Sequence, residues 1–196
     1  MPKPTPTSSA GRLIAQLAGW KPFPRAMLVY LDLRHMRSIN RLGDSGAGDV
    51  VIEQTLAVLR RWCGPTGQAH RLWSNEFIAV KSIDSGESAV DQASMLRAEL
   101  TAIAYPSSLG SSHVAVSIGL LVVGADDKDW ATHIHDAAEA CEIAKRRGLN
   151  QIVAKDQRHN IDDRSIVDAS HVLNFRHLRD QGRLTLHAQP IMDITA

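Results

Sequence analysis

Five apolar residues in a row, Met27-Leu28-Val29-Tyr30-Leu31, stop at Asp32. A strand of this kind has no polar face, so it must be covered on both sides. That requirement calls for a sheet with helices against each face, and it leaves a carboxylate at the strand's C-terminal edge. Met36, Ile39 and Asn40 follow at helical spacing, and a turn of Gly43, Asp44, Ser45 and Gly46 leads to a second helix carrying Val50, Val51, Gln54, Leu56, Val58 and Leu59. Gly64-Pro65-Thr66-Gly67 breaks the chain. Two short strands are expected next, His70 to Trp73 and Phe77 to Val80, with a turn at Ser74-Asn75 between them. Ala89 to Ile103 reads as an amphipathic helix ended by Pro106 and Gly110, and His113 to Val123 as the longest strand. Trp130 to Arg147 reads as a helix closed by Gly148, and Gln151 to Ala154 as a last strand. The order β-α-α-β-β-α-β-α-β predicts an α+β sandwich, with crossover helices and one hairpin around a single sheet.

At 196 residues the chain has room for one well-packed domain and some extra segments. Residues 1–25 are expected to hold a disordered stretch, Met1 to Ala10, and a short helix over Leu13 to Ala18; the domain spans 26–155. Residues 156–183 suit a linker and connecting helix, and Leu184 to Ile191, within 184–196, suits a strand. The 22 basic and 21 acidic residues nearly cancel, which argues against a nucleic-acid binder with its concentrated basic footprint. Lys145-Arg146-Arg147 is the tightest basic cluster, and it falls where a helix end would solvate it. Cys63 and Cys141 are too few and too scattered for a disulfide framework or a zinc site, so both are expected as reduced core residues. His133 and His135, two apart on a helix, face different ways and make a poor metal pair. With no apolar run long enough to cross a bilayer and no signal-peptide pattern, a cytoplasmic protein without membrane contact is expected.

The expected chemistry sits where Asp32 ends the central strand beside the turn that carries Glu76. Neighbouring strands would bring these carboxylates together, and paired acids at a strand edge can hold Mg²⁺ through hard oxygens. Around them lie several short signatures in order: Leu28 to Asp32, Ile39-Asn40, Gly48-Asp49, Trp73-Ser74-Asn75-Glu76-Phe77 and Val116-Ser117-Ile118-Gly119. Over residues 26–154 these resemble the GGDEF domains of diguanylate cyclases, which condense two GTP molecules into cyclic di-GMP. The resemblance implies the GGDEF variant of the nucleotide-cyclase palm, a mainly antiparallel central sheet flanked by helices. It also implies a metal held by Asp32, the backbone carbonyl of Leu33 and the residue at Asn75, with Mg²⁺ present only alongside GTP. Arg37 and Lys145 would meet phosphate, Asn40 and Asp49 would recognise guanine, and Glu76 would stand at the catalytic position.

The sequence departs from the family where the chemistry is done. Trp73 and Ser74 replace two glycines whose lack of a side chain lets the backbone approach phosphate. Trp73 is large enough to fill part of the pocket, or else to serve as a core or interface residue. Asn75 replaces an acid that shares the metal. Asp44-Ser45 stands in place of Gly-His, Leu149 in place of an arginine, and Gly64 to Gly67 in place of the inhibitory product site. Gln189-Pro190-Ile191, with the strand before it, resembles the start of an EAL domain, the usual C-terminal partner of GGDEF domains.

The expectation is a catalytically inactive regulatory domain of a cyclic di-GMP signalling protein, binding GTP and modulating an attached EAL domain. A residual diguanylate cyclase and a nucleotide-independent dimerisation or interaction domain remain as alternatives; a homodimer fits any of them.

Overall fold

The computed structural model describes residues 9–20, 24–43, 46–107, 110–124, 126–127 and 129–155. The elements in order are α1 (Ser9–Leu17), β1 (Arg25–Leu33), α2 (Met36–Leu42), α3 (Ala47–Cys63), β2 (Gln68–Arg71), β3 (Glu76–Ile83), α4 (Ala89–Thr101), β4 (Ala104–Ser107), β5 (Gly110–His113), β6 (Val116–Gly124), α5 (Trp130–Arg147) and β7 (Gln151–Lys155). The segments expected as a linker, connecting helix and final strand beyond residue 155 lie outside the described residues.

β1 is the centre of a five-stranded sheet ordered β2-β3-β1-β6-β7. It runs antiparallel to β3 and β6, β2 runs antiparallel to β3, and among the described strands the β6–β7 pair alone is parallel. The apolar run is covered on both faces, as its composition requires, and successive side chains go to opposite layers. Met27, Val29, Leu31 and Leu33 join a core with Val51 and Leu59 of α3 and Leu96 and Leu100 of α4. Ala26, Leu28 and Tyr30 join a second core with Leu13 and Leu17 of α1 and Trp130, Ala137 and Cys141 of α5. Asp32 continues the even series, so it belongs to the α5 side.

α5 lies close on the sheet because of Gly119. A Cβ at this position would come within 2.0 Å of the Ala137 carbonyl oxygen and 2.5 Å of the Cys141 nitrogen. The Cys141 thiol donates to the Ser117 carbonyl at 3.3 Å across the same contact.

Two expectations for the chain between α4 and β6 need correction. Ala89 to Ile103 was expected as helix throughout, but the helix ends at Thr101, and Pro106 lies inside β4. His113 to Val123 was expected as one strand. Instead β4 and β5 form a separate two-stranded ribbon, and β6 begins at Val116. The break is fixed by backbone hydrogen bonds: the Val114 N–H donates to Ile103 and the Arg34 N–H to Ala115. Each strand of a two-stranded ribbon is an edge strand, where a proline is tolerated, and the residue after Pro106, Ser107, bridges to Gly43 at the end of α2. At the other end of the chain α1 starts at Ser9, inside the stretch expected to be disordered.

Both cysteines are buried and reduced. Burial pushes the Cys63 thiol up to about 11 and the Cys141 thiol up to about 12. Thiols in the unfolded chain ionise first, so their contribution is complete below the unfolded value near 9 and declines as pH rises toward those folded values. Each thiol is expected to remove up to about 1.4 kcal/mol of stability per pH unit across that window. Urea unfolding at pH 8 and pH 10.5 checks this, and Cys63→Ala together with Cys141→Ala should shrink the difference by the share of the two thiols.

Candidate functional site

The site is assembled by strand register. Asp32 on β1 lies directly opposite Glu76 on β3 and Ser117 on β6. Asp32 is 5% exposed, a depth at which an ionised carboxylate requires partners. It has them. The Lys145 ammonium, reaching down from the last turn of α5, lies 2.8 Å from Asp32 Oδ2. The same nitrogen is 2.6 Å from Glu142 Oε1 and 3.9 Å from Glu76 Oε1. Arg34 Nη1 stands 3.9 Å from the other Asp32 oxygen. Burial alone pulls the Lys145 ammonium's pKa down, but its hydrogen bonds to Asp32 and Glu142 prevail and hold it above the ordinary lysine value.

Asn75 completes the enclosure. Its amide nitrogen donates to Asp32 Oδ2 at 3.1 Å and to the Leu33 carbonyl at 3.0 Å. Two acceptors on one side oblige the amide to present its NH₂ group there, and the Ser74 hydroxyl donates to its oxygen at 3.3 Å on the other side. The backbone is fixed as well, because the Leu33 N–H donates to the Asn75 carbonyl at 2.9 Å. Glu76 is held by the Tyr30 hydroxyl, which donates to its Oε2 at 2.9 Å. Burial first, and then this bond to Glu76, push the Tyr30 phenol well above its usual value.

The rest of the turn faces outward. Arg71 staples it by donating to the Trp73 and Ser74 carbonyls. Trp73 is 61% exposed, so it is not a core residue. Phe77, one residue beyond Glu76, is fully buried in the α3/α4 layer. Arg37 and Asn40 are exposed on α2, and Asp49 is exposed in the first turn of α3. Gly48 makes room for Asn40: a Cβ there would fall 1.8 Å from the Asn40 amide oxygen. The structure thus gathers Asp32, Leu33, Asn75, Glu76 and Lys145 in one place, and leaves Arg37 and Asn40 exposed on α2 and Asp49 exposed at the start of α3. Asp44 and Ser45 lie outside the described residues.

Sequence reasoning missed Tyr30, Arg34 and Glu142. Tyr30 reads simply as part of the apolar run, although its even position on β1 points it toward α5. Glu142 precedes Lys145 by three residues, a spacing that signals a helix-surface ion pair. Arg34 carries no such signal, since its approach to Asp32 depends on the turn after β1.

A divalent cation fits this arrangement poorly. Mg²⁺ takes about six oxygen ligands in near-octahedral array. Here Asp32 Oδ2 already accepts from an ammonium and an amide, the Leu33 carbonyl accepts from that amide, and Glu76 accepts from Tyr30. Among the described residues, no group of three or more His, Cys, Asp or Glu side chains is gathered for a metal ion. His133 and His135 do not converge: the first is buried edge-on to Trp130, the second exposed.

The family profile described as "Diguanylate cyclase, GGDEF domain" matches residues 18–151. An uncharacterized 19.3 kDa protein of Streptomyces ambofaciens is 32% identical over 126 residues, which is 63% of this chain and 64% of that protein's length. Among solved structures, an EAL/GGDEF domain protein from M. capsulatus superposes with a TM-score of 0.60 at 22% identity, covering 72% of this chain and 92% of that one. The GGDEF domain of DgcB from Caulobacter crescentus, in complex with c-di-GMP, gives 0.58 at 21% identity, covering 67% and 78%. No helix among the described residues is long and apolar enough to cross a membrane.

Proposed function

The chain belongs to the diguanylate cyclase GGDEF-domain family, and we propose that this copy is a regulatory module of a cyclic di-GMP signalling protein that makes no cyclic di-GMP itself. The observation that carries this reading is the Asn75 amide, which spans Asp32 Oδ2 and the Leu33 carbonyl. Those acceptors are the ones the family uses for its metal, and here they are engaged by a neutral donor. The turn adds to the case, since Trp73 and Ser74 bring side chains where phosphate would need bare backbone. Asn40 and Asp49, exposed and adjacent to the close contact at Gly48, keep the donor and acceptor pattern that suits the edge of guanine. GTP is therefore the ligand of this reading, sensed rather than consumed, in a cytoplasmic protein whose output passes to an attached EAL domain.

One observation favours a second reading. An exposed indole at a stapled turn suits a protein contact, which supports an interaction domain indifferent to nucleotide.

Calorimetric titration of GTP, with and without Mg²⁺, followed by an assay of the same sample for cyclic di-GMP, separates these. Binding without product is expected, weakened about tenfold in Asn40→Ala through loss of one hydrogen-bonding group. Product that disappears in Glu76→Ala would make this a working cyclase. Silence in both measurements would select the interaction domain.

A further inference from the structure

We propose that this centre supplies its own cation: the Lys145 ammonium, together with the Asn75 amide, takes the place of a divalent metal at Asp32, so the folded centre is independent of Mg²⁺ and Mn²⁺. The inference rests on the reading of a domain that does not cyclise GTP, and it explains how the acidic pair survives without a metal. Asp32 and Glu76 are paired across β1 and β3, and two uncompensated carboxylates this close would repel. Lys145 reaches both, at 2.8 and 3.9 Å, and Arg34 adds a second positive charge at 3.9 Å. A metal ion would have to displace the ammonium from Asp32 and meet the positive side of an amide pointed at the same oxygen.

The Asn75 donor cannot simply swing away. Its side chain bonds Asp32 and Leu33, while its own carbonyl accepts from Leu33, so β1 and the turn grip each other in both directions. Turning the amide over would set its oxygen against Asp32 Oδ2 and the Leu33 carbonyl, with no proton between them.

Asn75→Asp replaces the donor with a further carboxylate and should create the missing demand for a cation. The test is heat unfolding of the whole chain, free of nucleotide, in MnCl₂ or MgCl₂ against NaCl matched for ionic strength. The wild-type midpoint is expected to be the same in all three salts. Asn75→Asp is expected to melt lower in NaCl and to recover with Mn²⁺ along a saturating curve, binding the ion at least about tenfold more tightly than wild type. A saturating Mn²⁺ response in the wild-type protein overturns the proposal, and so does an Asn75→Asp chain indifferent to both ions. If Asn75→Asp does not fold, the electron paramagnetic resonance of free Mn²⁺ decides with wild type alone: an undiminished signal upholds the proposal and a lost signal overturns it. An ion response of the wild-type chain that makes no cyclic di-GMP when GTP is then supplied removes this inference and leaves the regulatory reading intact, whereas product formation by the wild-type chain removes that reading.

Discussion

Replacing Lys145 by Met should lower the stability of the domain by about 3 kcal/mol, the scale for removing one partner of a buried ion pair. For a chain of this size that corresponds to a fall of roughly 6–12 °C in melting temperature. The reason is the carboxylate left behind. Asp32 is 5% exposed, and without the ammonium at 2.8 Å its side chain keeps, among the described residues, the Asn75 amide and a guanidinium 3.9 Å away. A companion variant tells this apart from loss of the lysine's own packing. In Asp32→Asn/Lys145→Met both charges are gone, and most of the lost stability should return, because an absent pair is far less damaging than half of one. Equal destabilisation in the single and double variants would show that the methylene stem of Lys145, rather than its charge, holds α5 in place. Chemical denaturation read by tryptophan fluorescence would follow both variants, given Trp130 on the same helix.

Gly119→Ala should be about as damaging, at about 3 kcal/mol, by overpacking rather than by charge. The added methyl would sit 2.0 Å from the Ala137 carbonyl oxygen and 2.5 Å from the Cys141 nitrogen. Both obstacles are backbone, and neither can rotate aside as a side-chain tip would. α5 must lift from β6, and that movement draws Lys145 away from Asp32. The two variants are therefore expected to be less than additive when combined, since lifting the helix already breaks the pair that Lys145→Met removes. Full additivity in urea midpoints would mean that the sheet bends to accept the methyl while the helix stays seated.

Much of this arrangement was legible in the residues, and what was not shares a physical character. β1 and α5 announce themselves through long local patterns, an unbroken apolar run and a helical period ended by Gly148. The pairing of Asp32 with Glu76 follows from placing both acids at the ends of neighbouring strands. The β4–β5 ribbon was hidden because its strands are four residues each, polar, and interrupted by Pro106 and Gly110. A pattern that short has no period to detect, and its existence depends on where Ile103 and Val114 meet. The outward turn of Trp73 was equally hidden: the strand expected over His70 to Trp73 runs from Gln68 to Arg71 instead, so Trp73 falls in the turn, where no alternation betrays its direction. Least legible was the engagement of Lys145 by Asp32. The resemblance led us to expect a phosphate contact, and the ion pair emerges only once Gly119 has set how deeply α5 lies on the sheet.

The alternation along β1 carries one more consequence, a matter of counting. Odd-numbered residues from Met27 to Leu33 enter the α3/α4 core, and even-numbered ones from Ala26 to Tyr30 enter the α1/α5 core. Asp32 inherits its side from that parity. Gaining or losing a single residue within the strand would exchange the two sets, carrying the acid into the layer of Val51 and Leu59 and pointing Leu31 or Leu33 at Lys145. The length of β1 therefore matters as much as its composition, because parity alone decides which of the two cores receives the acid.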